Sequence, residues 1–352
     1  MKNSINVDAN FIGGNIKVKE ISGDTVYLEN ELRDTNIDWF YWAFCVEGAN
    51  GLTLTFKMQP TRLGYWGPAI SHDLENWTWL GSLDGDSFTY TFGEKEEKVY
   101  FAHHMLYHPE RFYSLCRSFN LQVDELCKSK KGRSVPCLKI GSGEKSIIFT
   151  SRHHSCESTG DYVLEGVITE LVNNPIENTR ILVVPFVDFD GVIDGDQGKS
   201  RIPHDHNRDY IGEPIYPEVS AIRTHMEKYG CNYGFDLHSP WHKGGTNDKI
   251  FIVRNLKEKD ADFDDFASIF ESEISEGSMK YSKNNDYPPC TKWNQPGPSF
   301  GYTTNTRSEC KLAFTLESAY FGLEDNKVSA DKLVELGKCF LRAVKKYAEK
   351  NI

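Results

Sequence analysis

The 352-residue chain has no apolar run long enough to cross a bilayer, and its first residues, Met1-Lys2-Asn3-Ser4-Ile5-Asn6, lack the apolar core of a secretory signal. Both absences predict a cytoplasmic protein with no membrane partner. Internal repeats, low-complexity tracts and long charge runs are missing as well. The acidic stretch at 260–265 reads as a solvated helix face. Positive charge is scarce: 40 Lys and Arg stand against 51 Asp and Glu, for a net charge of −11. A chain without a basic excess lacks the usual electrostatic footprint of nucleic-acid binding, so no nucleic-acid partner is expected. The nine cysteines are odd in number and follow no regular framework, which favours reduced thiols over disulfides.

Four short segments carry chemistry. They are His154-Ser155-Cys156-Glu157, Asp205-His206-Asn207-Arg208, Asp236-Leu237-His238 and Thr315-Leu316-Glu317. A catalytic Zn²⁺ takes three protein N or O ligands and keeps a position open for water, and two His plus one Glu is a known set for that purpose. His154 and Glu157 are close enough for one turn to aim both at a single ion, with His238 completing the set. A zinc-bound water still needs a base to take its proton, and Glu317 is the candidate. Asn207 and Arg208 offer an amide and a guanidinium to an anionic group. Taken singly, His-x-x-Glu and Asn-Arg are common by chance. The joint pattern is informative because three of the segments end predicted buried strands, where open α/β sheets bind ligands.

Those strands are short apolar runs at 145–152, 180–187, 234–238, 249–253 and 312–316. Pro185 suggests an edge or irregular position for the second. Tyr162, Val163, Val167, Ile168 and Leu171 follow the first at helical spacing, and further helices are expected at 217–228, 260–275 and 329–350. The last has an apolar stripe at Leu333, Leu336, Phe340 and Val344. The predicted fold is an α/β domain with a mixed, largely parallel central sheet flanked by helices. Ahead of it, residues 38–56 alternate on both sides of a turn-prone stretch at 48–51, the pattern of a hairpin. More short strands at 78–80, 88–92 and 98–102 complete a small all-β sandwich. We expect two domains, 1–106 and 107–352.

Over nearly its whole length the sequence resembles the zinc metallocarboxypeptidases, most closely the cytosolic carboxypeptidase subgroup. Arg152-His153-His154-Ser155-Cys156-Glu157 running into Tyr162-Val163 is similar to the subgroup's Arg-x-His-Pro-Gly-Glu segment. Asp190-Gly191, Asp205-x-Asn207-Arg208, Asp236-Leu237-His238 and Phe314-Thr315-Leu316-Glu317 match its further motifs. The resemblance implies one zinc ion on His154, Glu157 and His238, with Asp205 orienting His154. It further implies Asn207 and Arg208 on the substrate's terminal carboxylate and Glu317 as catalytic base. It also implies a β-sandwich ahead of a carboxypeptidase-like domain. The implied activity is hydrolysis of a C-terminal peptide bond; related families use the same site on N-acyl amino acids or cell-wall peptides. A binding protein that has lost efficient catalysis is a third possibility.

One position departs from the subgroup. Its Arg between the Asp-Gly and Asp-x-Asn-Arg motifs, which helps polarise the scissile carbonyl, falls on Gly198 here, with Lys199 and Arg201 as neighbouring substitutes. Cys156 is expected to pack, since free Cys usually behaves as a small hydrophobe. His153 offers the ligand role in a shifted register, but without the His-x-x-Glu spacing. His204, His206 and His242 are expected to line the pocket or the surface. The segment 293–302 is expected to form a loop over the substrate, with Tyr302 supplying a closing hydroxyl.

Overall fold

Alternating short strands shape the first third of the chain. The structure, a computed structural model, describes residues 5–350. Nine strands come first: β1 (Asn6–Asp8), β2 (Lys17–Ser22), β3 (Thr25–Glu29), β4 (Ala43–Glu47), β5 (Thr53–Lys57), β6 (Ala69–Ser71), β7 (Thr78–Trp79), β8 (Ser87–Thr91) and β9 (Lys98–Ala102). They form two sheets, ordered β1-β4-β9-β6-β7 and β2-β3-β5-β8. Their facing side chains, among them Phe44, Val46, Phe56, Phe88 and Phe101, share one apolar cluster. The hairpin expected over 38–56 does not form. β4 pairs with β1 and β9, while β5 pairs with β3 and β8. The turn at 48–51 instead carries the chain from one sheet to the other. Phe44 and Phe56 then meet across the core, with ring centroids 5.3 Å apart, a burial that a hairpin's side-by-side strands would not give them.

The remainder is α/β. In order it contains α1 (Pro109–Ser118), β10 (Asp124–Lys128), β11 (Ser134–Ile140), β12 (Lys145–Ser151), α2 (Thr159–Asn173), β13 (Thr179–Val184), α3 (Phe189–Asp194), α4 (Pro217–Tyr229), β14 (Tyr233–His238), β15 (Phe251–Val253), α5 (Asp260–Glu273), α6 (Phe300–Asn305), β16 (Leu312–Glu317) and α7 (Ala330–Lys350). The sheet order is β10-β11-β13-β12-β14-β16-β15. β13, β12, β14 and β16 pair in parallel, whereas the β10–β11, β11–β13 and β15–β16 pairings are antiparallel. Pro185 does not mark an edge strand: β13 is interior and ends at Val184, so the missing N–H falls outside the ladder.

Two glycines bring helices together. A Cβ on Gly166 of α2 would lie 1.9 Å from the Val334 carbonyl, and one on Gly337 of α7 would lie 1.9 Å from that of Val163. Backbone therefore touches backbone where α2 and α7 cross. The anticipated stripe of α7 is fully buried at Leu333, Leu336, Phe340 and Val344. With these helices packed on it, the sheet leaves the C-terminal ends of three adjacent parallel strands, β12, β14 and β16, to build a site.

Candidate active site

The neighbouring strands deliver the candidate groups together. His238 is the last residue of β14 and pairs in register with Glu317, the last of β16. His154 and Glu157 lie in the loop between β12 and α2. That loop begins at Arg152 with φ +61, a conformation unusual for a residue with a side chain. Two buried contacts hold it: Arg152 Nε donates to the Ser155 carbonyl at 2.6 Å, and Nη1 pairs with Asp161 at 2.7 Å. The strained residue fixes the turn from which His154 and Glu157 converge.

All three candidate ligands are buried, and their ligand atoms lie within 4.8 Å of one another. Glu157 Oε1 is 2.8 Å from His154 Nδ1, and Oε2 is 2.6 Å from His238 Nδ1. The far nitrogens face carboxylates as well: His238 Nε2 is 2.6 Å from Asp236 Oδ2, and His154 Nε2 is 3.5 Å from Asp205 Oδ1. A neutral imidazole has one N–H, yet His238 presents both nitrogens to acceptor-only groups. Either a proton on Nδ1 or a metal ion on the Glu157 side meets that demand, and an ion bound by the two Nδ1 atoms and the carboxylate would do so for His154 as well. The residues present fit such an ion.

Without an ion, the positive charge is carried by a proton on His238. Burial alone would raise the Glu157 carboxyl, but His154 and His238 hold it well below its ordinary range. Burial likewise opposes charge on His238, and Asp236 and Glu157 override it and raise the imidazole well above its usual value. Glu317 has no such stabilisation: burial pushes it up to about 7, His238 and Lys199 oppose the rise, and the Glu157 and Asp236 charges add to it. Three acids in one pocket thereby differ in their affinity for protons, with Glu157 and Asp236 lowered and Glu317 raised.

Asp236 stands two residues before His238 on the same face of β14, which lets it grip the ring. His153 stands outside the His154, Glu157 and His238 group, although its ligand atom converges with those of Asp236 and His238 in a second buried trio. It packs behind, with Nδ1 2.7 Å from Asp236 Oδ1 and Nε2 2.7 Å from the Tyr210 hydroxyl, so both nitrogens are satisfied. Cys156 is buried among Trp39, Tyr41, Tyr320 and Phe321, and burial raises its thiol to about 12. Of the other histidines, His204 pairs with Asp209 at 2.6 Å and His206 stacks on Tyr216. His242 joins a buried chain with His103 and His104.

The substrate-facing candidates separate clearly. Asn207 and Arg208 line the cleft that contains His154, His238 and Glu317. The Asn207 amide lies 3.4 Å from His238 Nε2, and its carbonyl oxygen accepts from Phe300 N at 3.0 Å. Lys199 also lines the cleft, with Nζ 3.5 Å from His154 Nε2. Arg201 does not reach it. Its guanidinium is locked against Asp188 at 2.6 Å, Asp196 at 3.0 Å and Asp34 at 3.2 Å. The cleft wall does come from the segment before β16, at Trp293, Asn294, Gln295, Pro296, Gly297, Pro298 and Ser299. Tyr302 is absent from that wall. Ser299 caps α6 by accepting from Tyr302 N, which removes 300–305 from the loop.

Reasoning from the sequence alone missed the Arg152–Asp161 brace, the role of Asp236 and the histidine chain. It also missed the contribution of Trp39 and Trp241 to a second cavity beside Glu317. Only Asp236 carried a local signal, its period-two offset from His238.

The chain matches no family model. It is 28% identical over 259 residues to an uncharacterised protein of Zymomonas mobilis, an alignment covering 67% of each. It is 27% identical over 204 residues to cytosolic carboxypeptidase 2 of Xenopus tropicalis, covering 49% of this chain and 21% of that one. The match to human cytosolic carboxypeptidase 1 is 26% over 153 residues, covering 35% and 12%. The chain thus spans about a fifth or less of these carboxypeptidases. Among solved structures, a metallo-carboxypeptidase from Burkholderia cenocepacia superposes with a TM-score of 0.81 at 19% identity, covering 99% of this chain and 100% of that one. A metallo-carboxypeptidase from Pseudomonas aeruginosa, solved with (2-guanidinoethylmercapto)succinic acid, gives 0.77 at 20% identity, covering 98% and 99%.

Proposed function

We infer that this chain, a relative of the cytosolic carboxypeptidases with the fold of bacterial metallo-carboxypeptidases, is a zinc-dependent carboxypeptidase. Its substrate would be a peptide ending in a free carboxylate, and its reaction hydrolysis of the last peptide bond. The observation that carries this is the convergence of His154 Nδ1, Glu157 and His238 Nδ1 beside Glu317, with Asn207 and Arg208 in the same cleft.

One zinc ion would be held by His154, Glu157 and His238; when bound it polarises a carbonyl and makes a water acidic near neutral pH. The chain's own groups do the rest. Arg208 and Asn207 grip the terminal carboxylate, which fixes the scissile bond relative to Glu317. Glu317 takes the proton from the attacking water and returns it to the departing amine, a task suited to a carboxyl whose affinity for protons lies near neutrality. Lys199 offers its ammonium to the carbonyl oxygen as negative charge develops. Asp205 and Asp236 keep the two imidazoles turned with Nδ1 inward.

We further take residues 1–106 as a β-sandwich domain and 107–352 as the catalytic domain. The odd number and irregular spacing of the nine cysteines support a reducing, cytoplasmic setting. The test pairs two variants. His238→Ala should lose most bound zinc, while Glu317→Gln should retain one zinc per chain and lose about 10² to 10⁴ in kcat. Full zinc in the first, or near wild-type turnover in the second, would refute the assignment.

A further inference from the structure

Two cavities meet at the catalytic glutamate. One, of ≈ 240 Å³, is lined by His154, Asn207 and His238; the other, of ≈ 250 Å³, is lined by Trp39, Glu157 and Trp241. Lys199, Arg208, Trp293 and Glu317 border both. With a terminal carboxylate held by Asn207 and Arg208, the leaving residue occupies the first, whose wall includes the uncharged Val253, Asn255, Gln295 and Thr315. The portion of substrate on the acyl side of the bond must then enter the second.

That second chamber is aromatic. Trp39, Pro240, Trp241 and Trp293 wall it, and its only carboxylates, Glu157 and Glu317, stand at the metal end. Trp241 is 47% exposed and Trp293 55% exposed, although tryptophan is normally well buried. Neither is loose. Trp241 abuts the Trp39 ring at 4.9 Å and the Phe40 ring at 5.5 Å, both edge-to-face, and Trp293 stacks on Tyr287 at 4.6 Å with an interplanar angle of 18°. Rings immobilised before binding lose little entropy when a ligand arrives. Exposed, rigid indoles around a cavity that opens onto the reacting groups are the features of a recognition surface.

We propose that Trp39, Trp241 and Trp293 form a subsite for a bulky apolar or aromatic group on the acyl side of the scissile bond, so that this group selects the substrate. The proposal rests on the carboxypeptidase reading for the direction in which substrate lies. The cations of this chamber, Lys199 and Arg208, are shared with the first cavity, where they are assigned to the carbonyl oxygen and the terminal carboxylate, so an acidic group here meets Glu157 and Glu317 with no cation of its own. The aromatic group has two sources, a penultimate residue of a peptide or the acyl part of an N-acyl amino acid.

The test measures binding separately from turnover. In zinc-loaded Glu317→Gln protein, calorimetry should give a Kd for acetyl-Gly-Phe-Ser about tenfold below those for acetyl-Gly-Gly-Ser and acetyl-Gly-Glu-Ser, the scale of a good aromatic contact. Trp241→Ala should erase that difference and Trp241→Phe should largely keep it, while neither should move the Kd for the Gly peptide. 3-Phenylpropanoyl-Ser binding as well as the Phe peptide would assign the N-acyl source; weaker binding would assign the peptide. Equal Kd values for the three peptides, preference for the Glu peptide, or discrimination that survives Trp241→Ala would overturn the subsite. Tryptophan-dependent discrimination without hydrolysis by wild-type protein would refute the carboxypeptidase reading and leave the subsite standing. Hydrolysis without discrimination would do the reverse, and failure of every peptide to bind would refute both.

Discussion

Gly198 explains a substitution that looked like a loss. Its φ is +76, and a Cβ there would lie 2.1 Å from Ser155 N and 2.8 Å from the His154 carbonyl carbon. No side chain fits, so an arginine is sterically barred from this position. Gly198→Ala should destabilise the protein by more than about 2 kcal/mol and weaken zinc binding, because the ligand loop must move. Denaturation midpoints and zinc titration read both; a wild-type value for each would contradict the account. The two neighbouring cations should then behave differently. Lys199→Ala should lower kcat by about 10² with a small change in KM, as expected for an oxyanion donor. Arg201→Ala strands Asp34 and Asp188, leaves Asp196 with Arg33 alone, and should cost about 3–5 kcal/mol of stability. A kinetic defect at native stability in Arg201→Ala would reverse the assignment. The sequence offered both cations equally, because residues two apart in a loop carry no fixed direction. Arg201 is held out of the cleft by Asp188, Asp196 and Asp34, of which Asp34 is distant in sequence.

At the scale of elements, the least expected feature is a buried histidine chain between β9 and the ligand loop. His104 Nε2 lies 2.9 Å from the Cys156 carbonyl, which only accepts, so Nε2 carries the proton and Nδ1 is bare. His103 must therefore donate through Nδ1 to His104 at 2.8 Å, and His242 must donate through Nδ1 to His103 Nε2 at 2.8 Å. Each tautomer fixes the next, and the last link reaches Cys156, beside Glu157. Burial is the main cause that lowers all three, with His104 and His242 brought to about 3. Groups with a folded value below the unfolded 6.5 leave the unfolded chain holding more protons as pH falls. Stability should therefore drop from about pH 6.5 towards pH 3, by up to about 1.4 kcal/mol per pH unit for each histidine. Urea midpoints of zinc-loaded protein between pH 7 and pH 5 should show this decline, and His242→Phe should make it shallower. An unchanged slope in the variant would contradict a neutral His242 lowered by burial. None of this was legible in advance, since His103 and His242 are far apart in sequence. The strands ending at the site were legible because buried parallel strands read as continuous apolar runs. The crossing of β4 and β5 between sheets was not, because alternation fixes a strand's faces and leaves its partner open.

At the scale of the whole molecule, the N-terminal sheets and the α/β part share the work of shaping the site. Asp34 accepts from the Gln197 and Gly198 amides at 2.8 and 2.7 Å, and the Gln197 side chain bonds the backbone of Tyr41 at both its N–H and its carbonyl. Trp39, from the same segment, walls the second cavity. The positions of the candidate ligands and of the proposed base followed from local motifs at strand ends, whereas this inter-segment bracing depends on tertiary packing that no short motif encodes. The central claim is that zinc-loaded protein removes one residue from a free C-terminus. It is tested most directly by mass spectrometry of matched peptides, one ending in a free acid and the other in an amide, after incubation with the protein before and after chelation of its metal. The account predicts loss of a single C-terminal residue from the free-acid peptide alone, abolished by chelation and restored by zinc. Internal cleavage, equal release from the amide, or undiminished activity after chelation would contradict it.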